Sequence, residues 1–100
     1  MQNKNLLKQM QQMQARMAKA QEELAAKSVV GTAGGGAVSV TASGDQQILE
    51  VAIDPEVMDD HEMLQDLVKA ACNAALDSSR AMAAQDMSQV LPGGLPPGLF

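Results

Sequence analysis

Between residues 6 and 24, LLKQMQQMQARMAKAQEEL, apolar side chains fall at Leu6, Met10, Met13, Met17, Ala20 and Leu24, in steps of 4, 3, 4, 3 and 4. A seam of period 3.5 belongs to a helix lying along another helix rather than on a broad core. The stretch holds no aromatic or β-branched residue, no Gly and no Pro, so local propensity and spacing agree on a helix over 1–27. At about 100° per residue the seam centres near about 240°, while Lys4, Lys8, Arg16 and Lys19 fall between about 40° and 160°. The helix therefore has an apolar side and a separate basic side. Solvation of an outer helix face accounts for such cations; so does contact with a polyanion.

After Lys27 the period changes from helical to two. Val29 and Val30 open a short strand running through GTA. Val38, Val40 and Ala42 share one face of a second strand, and Leu49, Val51 and Ile53 share one face of a third. Ser43, Gly44 and Asp45 supply the turn between the latter two. Gly34, Gly35 and Gly36 lead straight into a strand with no Lys nearby, which fits a strand connection rather than a phosphate loop opening a helix. Asp54–Pro55 starts a single helical turn. MDDHEM then reads as a capping box, with Asp59 as N-cap, Glu62 three residues on, and Met58 and Met63 as a hydrophobic staple. Leu64, Leu67, Val68, Ala71, Ala74 and Ala75 stripe the helix that follows, which is expected to reach Val90 with a break near Ser78 and Ser79. The sequence closes with LPGGLPPGLF, which suits neither a helix nor a central strand and is expected to be a loosely held tail, or one whose Leu95, Leu99 and Phe100 dock in a groove.

These elements predict an α+β chain: a long N-terminal helix, a three-stranded antiparallel sheet, and a C-terminal helix or helices. One domain spans 1–91 (helix 1–27, strands within 28–53, helical 54–91), and a Pro/Gly-rich tail covers 92–100. The only aromatic among 100 residues is Phe100, so large core anchors are missing and an oligomer is the expected way to bury enough surface.

The net charge of −5 argues against a nucleic-acid partner until its distribution is considered. Residues 1–27 carry five cations and two carboxylates, a net of 5 − 2 = +3; residues 28–100 carry two cations and ten carboxylates, 2 − 10 = −8. Any polyanion must approach the first helix. The acidic group Asp54, Glu56, Asp59, Asp60, His61 and Glu62 fits helix capping, and its spacing matches no metal loop. Cys72, without a Cys partner, is expected to be a buried thiol. No nucleophile is paired with a base, so no enzyme activity, metal, cofactor or small-molecule substrate is expected. No apolar run reaches membrane-spanning length, which places the chain in the cytoplasm with no membrane partner. Without aromatics on the strands, stacking platforms for single-stranded nucleic acid are lacking.

Taken in order, the Met/Gln-rich helix ending AQEELAAKSVVGTAGGG, the strand AVSVTASGD, the join VAIDPEVMDDHEMLQDLVKAACNAAL and the tail LPGGLPPGLF resemble the YbaB/EbfC family of bacterial nucleoid-associated proteins. The resemblance covers nearly the whole chain. It implies a tweezer-like homodimer, with sheets packed centrally and helices projecting, that binds double-stranded DNA in the nucleoid and alters its conformation, with possible roles in nucleoid organisation and gene regulation. Since the strands carry no Lys or Arg, DNA contact would rest on Lys4, Lys8, Arg16, Lys19 and Lys27. The seam Leu6, Met10, Met13, Met17 and Leu24 would serve dimer or helix packing. The alternative is a non-enzymatic protein-interaction module that uses the Met-rich seam.

Overall fold

A computed structural model of the chain describes residues 2–90. Helix α1 (Gln2–Ala26) is followed by strands β1 (Ser28–Ala33), β2 (Val38–Ser43) and β3 (Ile48–Ile53), a 3-10 turn at Pro55–Val57, and helix α2 (His61–Val90). The strands form one antiparallel sheet in the order β1-β2-β3, the α+β arrangement expected. The residues LPGGLPPGLF lie outside the described part.

The β1–β2 connection, residues 34–37, opens with Gly34, Gly35 and Gly36 at φ of 65°, 69° and 96°, a run of left-handed conformations that side-chain-bearing residues resist. Register places Val29, Gly31 and Ala33 opposite Ala42, Val40 and Val38, and Ile53 and Val51 opposite Val38 and Val40. These residues share one sheet face, and α2 packs against it. Leu49 departs from its expected place beside Val51 and Ile53. Thr41 pairs with Glu50 and Ala42 with Ile48, so Leu49 is an extra, unpaired residue in a β-bulge.

α2 lies over β1 and β2 rather than β3. Its contact stripe is Ala71, Ala75 and Ser79, four residues apart and all fully buried, set against Val38, Val40 and Ala42. Small side chains let the helix approach the strand backbone. At Gly31 a Cβ would stand 2.6 Å from the Ala71 carbonyl oxygen and 2.8 Å from the Ala74 carbonyl carbon, so only Gly fits beneath the helix. The expected break at Ser78–Ser79 does not occur. The Ser79 hydroxyl donates to the Ser43 carbonyl at 2.7 Å, and this tie to the end of β2 is why a serine occupies the middle of a continuous helix.

The start of α2 also differs from expectation by one residue. Asp60, not Asp59, is the N-cap: its carboxylate accepts from the Met63 amide at 3.0 Å, and its carbonyl accepts the first helical bond from Leu64 at 2.9 Å. The Glu62 capping box and the Met58–Met63 staple lose their register, and both methionines are exposed. Asp54 does cap the 3-10 turn, accepting from the Glu56 amide at 3.0 Å. Cys72 is half-buried at the margin of the core rather than enclosed within it.

The sheet and α2 hold α1 only near its C-terminal end. The Gly44 amide, in the β2–β3 turn, donates to the carbonyls of Leu24 and Lys27, each at 3.0 Å, satisfying groups that the end of a helix leaves open. Ala20 and Leu24 are the buried residues of α1. The rest of the helix projects, in keeping with a radius of gyration of 18.8 Å against about 13 Å for a compact chain of this length.

Candidate nucleic-acid interface

Lys4, Lys8, Arg16 and Lys19 are all exposed on α1. Helical rise places them along about 22 Å of the axis, as an outer pair (Lys4, Lys8) and an inner pair (Arg16, Lys19). The inner pair borders a shallow groove with Ala20, Glu23 and, from α2, Gln89. The row is long and one-sided, a shape suited to a string of charges rather than to a small molecule.

Lys27 stands apart from this row. It occupies the single-residue link between α1 and β1, and its ammonium bonds Asp86 of α2 at 2.7 Å. The hydrogen bond and the adjacent carboxylate raise its pKa above the ordinary 10.5. Lys27 thus fastens the base of α1 to α2, and a polyanion would have to compete with Asp86 for it. The spacing of charges along the sequence gave no warning of this pair, because the partners are 59 positions apart.

The apolar seam divides in two. Ala20 and Leu24 are buried within the chain, Met13 and Met17 are half-buried, and Leu6 and Met10 are exposed by 57% and 54%. The period of 3.5 announced a helix partner, and α2 supplies one for the last two turns. A second apolar surface was not distinguished by sequence: Ile48 and Val51 face the helix-bearing side of the sheet, yet each is 44% exposed because α2 stops short of β3. Leu49, unpaired in the bulge, is exposed as well.

Among the described residues no three His, Cys, Asp or Glu side chains come together to hold a metal, and no helix is long and apolar enough to cross a membrane. Of the acidic residues near 54–62, Asp54 and Asp60 cap helix ends, and His61 is the exposed first residue of α2.

The model of the YbaB/EbfC DNA-binding family matches residues 1–95. The chain belongs to that family, which is not a family of enzymes. It is similar to a nucleoid-associated protein of Clostridium novyi, 49% identical over 98 residues that cover 96% of this chain and 86% of the relative. A nucleoid-associated protein of Acetivibrio thermocellus is 50% identical over 99 residues, covering 96% of this chain and 88% of its own length. Among solved structures, an uncharacterized protein of Helicobacter pylori superimposes with a TM-score of 0.73 over 77% of this chain and 83% of its own; at 22% identity the likeness concerns the fold.

Proposed function

We propose that this protein is a nucleoid-associated protein that binds double-stranded DNA as a homodimer, with α1 contacting phosphates, and so changes DNA conformation in the bacterial cytoplasm with consequences for nucleoid organisation and gene expression. The observation that carries the reading is the exposed row Lys4, Lys8, Arg16 and Lys19 on a projecting helix, in a chain that is otherwise strongly acidic. Like charges elsewhere repel DNA and leave α1 as the approach. The row is separate from the apolar seam, and no other element able to enter a major groove carries a cluster of Asn or Arg, so phosphate contact is favoured over base reading. Dimerisation is supported by the small core and by Ile48, Leu49 and Val51, apolar and exposed on a strand whose outer edge pairs with nothing among the described residues. The likeness to proteins named nucleoid-associated supports the cellular setting.

A titration of duplex DNA at several salt concentrations tests the reading. A dimer using about four to eight phosphate contacts gives a slope of log K against log salt of about −4 to −7, with little discrimination between unrelated duplexes. Changing Arg16 and Lys19 to Ala weakens binding to every duplex and flattens the slope by about two per protomer engaged. If affinity and slope are unchanged, the basic row is only a solvated surface, and the Met-rich seam becomes the functional face of a protein-interaction module.

A further inference from the structure

The contact that roots α1 is narrow and has space on both flanks. Ala20 and Leu24 are the side chains of α1 buried in it. On the flank of Gln21 lies a cavity of about 320 Å³, between Gln21 and Leu24 of α1 and Ala83 and Met87 of α2. On the flank of Glu23 lies one of about 140 Å³, lined by Ala20, Glu23, Lys27, Asp86 and Gln89. Charge is unevenly shared in the smaller cavity. Glu23 stands on its α1 wall and Asp86 on its α2 wall, and Lys27 is the one cation that lines it. Lys27 serves both carboxylates: its ammonium bonds Asp86 at 2.7 Å and lies in the field of Glu23. The side chains of Lys27 and Asp86 are 49% and 24% exposed, so an arriving anion can reach the pair.

We propose that Lys27 is an electrostatic latch: it holds α1 to α2 by neutralising the carboxylates on the two walls, and a phosphate that engages its ammonium leaves Glu23 and Asp86 facing each other, so that their repulsion tilts α1 away from α2. The proposal rests on the reading of duplex DNA as the polyanion and adds a change of shape on binding. A duplex lying along α1 also engages Arg16 and Lys19, which share the neighbouring groove with Glu23. Glu23 therefore loses its cationic neighbours together, and the phosphate brings a further negative charge to the same place. Space on both flanks lets the helix move without first unpacking the core. The movement is a tilt and not a detachment, because the Gly44 amide bonds the carbonyls of Leu24 and Lys27, each at 3.0 Å, and these backbone bonds do not depend on the side-chain charges. Gln12 is about 18 Å from Leu24 along the axis, so a tilt of about 10° moves it by about 3 Å.

Nitroxides on Q12C and Q85C, both exposed positions, in a C72S background report this movement by pulsed electron resonance, with excess unlabelled chain added so that only pairs within one chain are read. At low salt and without DNA, K27Q should lengthen the mean distance by about 3 Å. Adding D86N to K27Q should return the distance to the parental value, since one carboxylate alone has nothing to repel. Saturating the parent with duplex should reproduce the K27Q distance. A K27Q distance equal to that of the parent overturns the proposal, as does a K27Q/D86N chain as open as K27Q, which would make Lys27 a packing support only. A parent that binds duplex at unchanged distance also overturns it. Absence of duplex binding in the salt titration refutes the proposed function and the phosphate trigger with it, and is told apart from failure of the latch by the distances in the DNA-free variants.

Discussion

Replacing Gly31 with Ala tests the close approach of α2 to the backbone of β1. Gly31 lies in β1 opposite Val40, with α2 crossing directly above it. The added Cβ would stand 2.6 Å from the Ala71 carbonyl oxygen, 2.8 Å from the Ala74 carbonyl carbon, and nearer still to the Ala75 amide nitrogen. All three are helix backbone atoms, so no side chain can swing aside. Ordinary contact begins at 3.4 Å, and α2 must retreat by about 1 Å, a gap that forfeits a quarter to a half of the dispersion energy across it. Ala71 and Ala75 then lose contact with Val38 and Val40, the centre of the core. Overpacking of this kind costs about 1–3 kcal/mol, and with the lost contacts the expected destabilisation is about 2–4 kcal/mol, partly offset by the lower unfolded-state entropy of Ala. Thermal unfolding followed by circular dichroism at matched protein concentration should show Tm lower by about 10–25 °C. A Tm within about 3 °C of the parent would refute the seating of α2 on the strand backbone.

Asp60→Ala should cost about 1 kcal/mol in urea unfolding and Asp59→Ala less than about 0.5 kcal/mol, because only the former removes the acceptor for the Met63 amide; the opposite ranking would return the cap to Asp59. Asp86→Asn releases Lys27 and removes a negative charge beside the basic row, so duplex affinity should rise and the salt slope steepen by about one per protomer; unchanged binding would mean that Lys27 takes no part. Val51→Asp puts a carboxylate in the uncovered apolar patch of β3 and should shift the dimer towards dissociated, less stable chains in sedimentation experiments; a dimer of parental stability would place the interface elsewhere.

The parts of the fold legible in sequence are those set by repeated local signals. The helical period of α1 and the alternation in β2 each rest on several residues: Leu24, Val38, Val40 and Ala42 are buried, while Leu6 and Met10 at the other end of the seam are exposed. What sequence misplaced hung on single residues. Asp59 and Asp60 are equally able to cap, and one backbone bond chooses between them. Ser78 and Ser79 suggested a break from their propensity, but Ser79 finds an acceptor in Ser43, 36 positions away. Leu49 lost its face to one inserted residue, since a period of two carries no memory across a bulge. For the candidate site, exposure of the four cations on α1 was readable from the helical wheel. The removal of Lys27 from that row was not, because ion pairing with Asp86 is decided by how α2 folds back along α1.

Attachment of α1 near Ala20 and Leu24 makes the helix a lever with unequal arms. Lys19 is about 8 Å from Leu24 along the axis and Lys4 about 30 Å. A tilt of about 10° at the attachment therefore displaces Lys19 by little more than 1 Å and Lys4 by about 5 Å. The inner cations keep a fixed gauge relative to the sheet, whereas the outer cations sweep an arc comparable to the spacing between neighbouring phosphates. One rigid helix thus carries both a reference point and a follower, and can track a surface whose curvature changes without loosening where it is rooted.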